Sequence, residues 1–243
     1  MFKSGRINMA PSSNQMRRHQ QSKIARQRTT GWLAYLDVYG FSAEVRENSL
    51  VSVVKRLRRL QSDVAKTISA KRAAKYVFSD SVVIFWPATA SERQKIATDA
   101  IDVLRTLQKL ARLYDFLLRG VVTYGIMSTG PDYFVGEPLL RAVRLEQLLS
   151  IPLVVVPDVD LNPDENALPL PYQIANVPTK IGLTRAYPIL PAPRRDLSSW
   201  VEQKAFKHLR EGPHEVAQAW HGLHEFLQKL PPPIIKPPRP AVP

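Results

Sequence analysis

Apolar positions change their spacing several times along the chain, and each change marks an element. Trp32-Leu33-Ala34-Tyr35-Leu36 is an unbroken apolar run that stops at Asp37 and is followed by Gly40, the pattern of a buried strand. Leu50, Val53, Val54, Leu57, Leu60, Val64 and Ile68 then recur at three- and four-residue intervals with Arg and Lys between them, which predicts an amphipathic helix opening near Ser42. Residues 76–86, YVFSDSVVIFW, are aromatic and β-branched on both sides of Ser79-Asp80-Ser81, so they read as two strands around a tight turn. A second helical period passes through Ile96, Ala100, Ile101, Leu104, Leu107, Ala111 and Tyr114, with Ser91 as its expected N-cap. A strand from about Leu117 to Ile126, a turn at Thr129-Gly130-Pro131, a short strand near Tyr133-Phe134, a helix over 137–149 and a strand at Leu153–Val156 complete the pattern.

The order β-α-β-β-α-β is the split βαβ arrangement, so the expected class is α/β (α+β) with a ferredoxin-like core. One domain over 31–156 carries it. Residues 157–196 are rich in proline and predict short strands and loops, and 197–230 read as one or two helices striped by Trp200, Val201, Ala205, Phe206, Trp220, Leu223, Phe226 and Leu227. The stretch 157–230 is therefore expected to pack on the same domain. Residues 1–30 hold Lys3, Arg6, Arg17, Arg18, Lys23, Arg26 and Arg28, no acid and few large apolar side chains, the composition of a disordered basic arm. Residues 231–243, PPPIIKPPRPAVP, predict an extended proline-rich tail.

Composition narrows the partners. With 243 residues, 44% of them hydrophobic, the chain can bury one full core. Its lack of cysteine removes disulfides, thiolate metal sites and cysteine nucleophiles together. No window reaches the roughly 18 apolar residues of a membrane span, and no apolar segment follows the basic N-terminus, so a cytoplasmic protein with no membrane partner is expected. The net charge of +13 invites nucleic acid as a partner, but much of the excess sits in the arm, and Val121-Val122-Thr123-Tyr124 lacks the basic, aromatic pattern of an RNA-reading strand.

Topology gives the acid in the middle of YVFSDSVVIFW a neighbour. In a split βαβ unit the first two strands run parallel, so Asp37 at the end of one and Asp80 at the end of the next fall on the same sheet edge. Either aspartate alone reads as a cap or a turn residue; together they form a pair of carboxylates that repel unless a cation sits between them. Magnesium or manganese suits such a pair, because it takes oxygen ligands and fills its shell with water and substrate phosphates. Gly40, Phe41 and Ser42 open the following helix, and their backbone N–H groups face the same edge, where they can cradle a polyphosphate.

Leu36-Asp37-Val38-Tyr39-Gly40-Phe41, Phe78-Ser79-Asp80-Ser81, Arg119-Gly120-Val121-Val122-Thr123-Tyr124-Gly125, Tyr133-Phe134-Val135-Gly136 and Arg141-Ala142-Val143-Arg144-Leu145-Glu146 resemble the successive motifs of class III nucleotidyl cyclases, over about residues 31–156. That resemblance implies a cyclase-type catalytic domain with appended C-terminal strands and helices. It implies two divalent metal ions, Mn2+ or Mg2+, on Asp37 and Asp80 with the backbone carbonyl of Val38, and attack of a ribose 3′-oxygen on the α-phosphorus of a nucleoside triphosphate with release of pyrophosphate. Arg144 falls where the family keeps an arginine that stabilises charge on the transferring phosphoryl group. Arg119 is implied as a phosphate contact or an ion-pair partner. Family members work as dimers in which the arginine helix of one subunit completes the metal site of the other, so a homodimer with shared sites is expected.

The pattern also departs from the family's. Leu140 replaces an asparagine expected four residues before Arg144, and Tyr76 stands where adenylate cyclases carry a base-reading lysine. Tyr133, beside Asp132, falls where those enzymes place an adenine-reading carboxylate. The wording LDVYGF with FSDS is most similar to the divergent bacterial branch that includes the uridylate and cytidylate cyclases of Pycsar anti-phage systems. The resemblance therefore implies a pyrimidine substrate, UTP first, with cUMP as a second messenger for a separate effector. Tyr76, Tyr39 and Tyr133 become base-contacting candidates, with core packing as the alternative for the first two. A purine cyclase and a non-catalytic nucleotide- or nucleic-acid-binding module are the competing readings.

Overall fold

The computed structural model describes residues 28–69, 73–130, 133–161, 174–191, 194–211 and 214–230. The expected basic arm up to residue 27 and the proline-rich tail lie outside these. Within them the chain runs β1 (Arg28–Tyr39), α1 (Phe41–Glu47), α2 (Leu50–Ser69), β2 (Ala74–Phe78), β3 (Ser81–Pro87), α3 (Arg93–Leu113), β4 (Leu117–Gly130), β5 (Tyr133–Val135), α4 (Glu137–Leu148), β6 (Val154–Pro157), β7 (Ala175–Thr179), β8 (Gly182–Ile189), α5 (Arg194–Glu211) and α6 (His214–Lys229).

One mixed sheet holds the molecule together in the order β2-β3-β1-β4-β6-β8-β7, with β5 paired to β4. Its first four strands are antiparallel neighbours in the spatial order of a split βαβ unit, as the hydrophobic pattern predicts. β6 joins β4 in parallel through the α4 crossover, and the β7–β8 hairpin extends that edge. Trp32, Ala34, Leu36 and Val38 alternate onto one face of β1, where α2 and α3 cover them, and the indole of Trp32 donates to the carbonyl of Arg93 at 2.9 Å. On the other face α4 packs across β1 and β4. There Thr123 donates to the Pro138 carbonyl at 3.0 Å, and a Cβ on Gly125 would lie 2.6 Å from the Pro138 ring, which leaves glycine no substitute at that crossing. One continuous apolar cluster reaches from these strands to Leu197 and Val201 of α5 and Trp220 and Leu223 of α6.

Four boundaries differ from the expectation, each for a local reason. β1 starts at Arg28, inside the stretch read as arm, because Arg28 to Gly31 pair with the long β4. The helix expected from Ser42 is two helices broken at Asn48, whose extended backbone and side-chain amide both engage the Glu44 carbonyl, at 3.0 and 3.2 Å. Asn favours such local bonds over a helix interior. The helix expected from Ser91 is capped two residues earlier: the Thr89 amide donates to the Glu92 carboxylate at 3.2 Å, and a short 3-10 turn over 90–92 leads into α3. The C-terminal stripe resolves into two helices, α5 and α6.

Candidate active site

Antiparallel pairing places Ser81 directly opposite Asp37, so Asp80 sits one residue beyond the end of that pairing. The Val38 amide donates to the Asp80 carbonyl at 3.2 Å and closes the β2–β3 turn onto the end of β1. Gln61 on α2 donates to the Ser79 carbonyl at 2.6 Å, and Ser79 holds φ 53, a left-handed conformation that non-glycine residues adopt at a cost of about 1–3 kcal/mol. The two acids expected at one rim are thus brought to one rim, by backbone bonds of the turn itself.

The carboxylate of Asp37 has three neighbours besides Asp80. Ser81 Oγ donates to Oδ1 at 3.0 Å, and Arg119 Nη2 lies 3.8 Å from Oδ2. Arg119 is engaged on its other side by the buried carboxylate of Glu146 on α4, through its Nε, and its guanidinium lies 5.2 Å from the centre of the Tyr39 ring. Burial pushes the Asp37 carboxyl up from 3.8 to about 6; the Ser81 hydrogen bond opposes this, Asp80 and Glu146 add to it, and Arg119 opposes it. Charge at this rim is therefore unbalanced toward repulsion between acids.

Among the described residues no group of three or more His, Cys, Asp or Glu side chains is placed to hold a metal. Two carboxylates with a backbone carbonyl at Val38 still suit a hard divalent ion, which is commonly held by one or two protein carboxylates. The raised Asp37 carboxyl is consistent with this: burial is its main cause, Asp80 and Glu146 add to it, and a cation at the rim would offset both the buried charge and the repulsion.

Asp37, Val38 and Asp80 open into a cleft of about 1260 Å³ that also reaches Gly40, Phe41, Ser42 and Arg119. Gly40 is the N-cap of α1 at φ 75 without a side-chain cap, and no atom lies within 4 Å of where its Cβ would be. Arg46, Lys180 and Lys229 line the same cleft, the last two from the β7–β8 turn and the end of α6. These cations, with Ser81 and Glu146, were not singled out from sequence. Strand register carries a signal for Ser81, since it lies opposite Asp37; the others depend on long-range packing that leaves none.

The remaining candidates lie elsewhere. Tyr39 lines the cleft beneath Arg119. Tyr76 is on the same sheet face as Asp37 but two strands away, 42% exposed, its ring 6.3 Å from that of Phe134. Tyr133 is half-buried on β5, and Tyr76, Tyr133 and Arg144 are not among the residues lining the cleft. Arg144 is exposed on α4, with no ion pair or hydrogen bond to another described residue. Leu140 lies one helical turn before it and is 60% exposed.

No protein-family model and no curated protein matches the sequence. Solved structures do match the fold. The adenylyl cyclase CyaB from P. aeruginosa superposes with a TM-score of 0.53 at 14% identity, over 68% of this chain and 96% of that one. The guanylate cyclase domain of RhGC from Catenaria anguillulae, solved with GTP, gives 0.51 at 12% over 66% and 96%, and a bacterial light-regulated adenylyl cyclase gives 0.51 at 15% over 73% and 98%. The chain has the mixed α/β fold of class III cyclase catalytic domains. No described helix is long and apolar enough to cross a membrane.

Proposed function

We propose that this protein is a metal-dependent nucleotide cyclase that converts UTP to 3′,5′-cyclic UMP and pyrophosphate. The observation that carries the reading is the joining of Asp37 and Asp80 at one rim, through the Val38 amide and the Ser81 pairing, beside an uncapped Gly40 turn. In the reaction the ribose 3′-oxygen forms a bond to the α-phosphorus, the bond from that phosphorus to pyrophosphate breaks, and the hydroxyl proton passes to water. Divalent metal, when bound, supplies charge neutralisation on the triphosphate and a more acidic 3′-hydroxyl. Asp37, Asp80 and the Val38 carbonyl hold that charge in place. The N–H groups of Phe41 and Ser42 at the start of α1 and the Arg119 guanidinium orient the phosphates.

Arg144 is exposed and does not line its own cleft, with exposed Leu140 one helical turn away, which supports the homodimer reading: it serves the partner's site. Tyr76 and Phe134 offer aromatic surface on the metal-site face, enough for a pyrimidine to stack. With a pyrimidine product the role is that of a cytoplasmic second-messenger synthase in anti-phage defence, acting on a separate cyclic-nucleotide-activated effector. A purine cyclase is the second reading, favoured by the adenylyl and guanylyl activities for which the matching structures are named.

Incubation with each of the four ribonucleoside triphosphates and Mn2+, followed by chromatography, tests both. Cyclic UMP is expected. Cyclic AMP or cyclic GMP instead selects the purine reading, and nucleotide binding with no cyclic product selects a non-catalytic module. Asp37→Asn and Asp80→Asn are each expected to abolish turnover in a folded protein.

A further inference from the structure

Two hydroxyls that the proposed chemistry does not use lead into the carboxylate of Asp37. Tyr35 lies two residues before Asp37 on the same face of β1, and Ser81 lies opposite Asp37 on β3. Ser81 Oγ is 3.0 Å from Asp37 Oδ1, and the Tyr35 hydroxyl is 3.4 Å from Ser81 Oγ. An ionised carboxylate has nothing to donate, so Ser81 donates to it; the Ser81 proton is then committed, and Tyr35 donates to Ser81. The direction of the chain, Tyr35 to Ser81 to Asp37, follows from its last member.

On the other side Arg119 Nη2 lies 3.8 Å from Oδ2. Side-chain rotation toward that guanidinium would shorten this ion pair to direct contact, which a metal ion must then break. The serine bond holds one oxygen back from that rotation and leaves a lone pair on each oxygen. Resting on the cyclase reading, we infer that Ser81, supported by Tyr35, is a positioning residue that sets the orientation of Asp37 for divalent metal. Partners of this kind, one step removed from the ion, alter metal affinity by about 10- to 100-fold when removed.

Mn2+ titration of the nucleotide-free protein, read by water-proton relaxation, tests this without any turnover. Ser81→Ala is expected to weaken Mn2+ binding by about tenfold or more, Ser81→Thr to restore most of it, and the melting temperature to track neither. Tyr35→Phe is expected to weaken binding severalfold alone and to add nothing in the Ser81→Ala background. Should Ser81→Ala fail to fold, the severalfold loss in Tyr35→Phe decides. Wild-type affinity in folded Ser81→Ala, or in Tyr35→Phe where that variant decides, overturns the inference while leaving the metal reading intact, provided Asp37→Asn abolishes binding. Absence of Mn2+ binding to the wild type sinks both.

Discussion

Arg119, directly opposite Asp37 on β4, forms an ion pair with the buried carboxylate of Glu146, and that pair sets which side of the guanidinium faces the rim. Glu146 holds the Nε side of the guanidinium, so Arg119 presents its Nη2 side toward Asp37 rather than swinging into solvent. α4 thereby contributes twice: Glu146 aims Arg119 within its own chain, and Arg144 projects outward from the same helix.

Glu146→Gln tests the first of these roles. Removing one partner of an enclosed ion pair costs about 3 kcal/mol when the other charge is left unpaired, and less here because Arg119 is partly exposed and has Asp37 at 3.8 Å to pair with. Arg119 is then expected to turn fully toward Asp37, so urea denaturation should show the stability loss and Mn2+ binding should weaken in parallel. A stability equal to wild type would mean that solvent already satisfies Arg119.

The raised carboxyl of Asp37 predicts a pH dependence whose sign is unusual for an aspartate. Its folded value of about 6 exceeds the ordinary 3.8, so the folded protein holds that proton more tightly than the unfolded chain does. With metal absent, this group's penalty is nil at low pH, grows as pH rises from 3.8 to about 6, and is fully present above that window. Asp37→Asn lacks the titration. The difference in melting temperature, variant minus wild type, should therefore rise across the window and then level off, and saturating Mn2+ should reduce it. A difference that stays flat would show that Asp37 is not buried against other acids.

Much of this was legible in the chain. The period-2 and period-3.6 segments gave the element order β-α-β-β-α-β, and that order is the split βαβ arrangement, whose crossover makes the first two strands parallel. Trp32, Leu36, Val53 and Leu104 share one buried cluster in it. Asp37 and Asp80 followed from that order, since the second lies in the turn that ends a strand parallel to the first. Arg119 against Glu146, and Lys180 and Lys229 on the cleft, were not legible: these contacts join elements far apart in sequence, and nothing in the spacing of a single lysine or glutamate says which cleft it lines. Local competition for hydrogen bonds misled at Asn48 and at Thr89, where a side chain ends or starts a helix against the apolar period.

Gly40 separates backbone geometry from ligand approach. Its φ of 75 costs an alanine about 1–2 kcal/mol, and nothing within 4 Å would clash with the added methyl. Gly40→Ala should accordingly fold with a modest loss of stability. If phosphates lie against this turn, the methyl stands in their path, and KM for the triphosphate should rise by far more than the stability change explains. Unchanged kinetics would remove the turn from the phosphate site.

On the proposed homodimer reading, the exposed position of Arg144 makes its role measurable by complementation. Asp37→Asn and Arg144→Ala are each expected to be inactive alone, since every site in either homodimer lacks one essential group. A mixed dimer has one site with both groups intact and one with neither. Equal mixing makes about half of the dimers mixed, each running one of its two sites, so recovery should approach about a quarter of wild-type activity. Recovery should depend on subunit exchange and saturate with time. If exchange is shown by size-exclusion chromatography of differently tagged chains and no activity returns, Arg144 does not serve the site across the interface, and exposure on α4 reflects solvation alone.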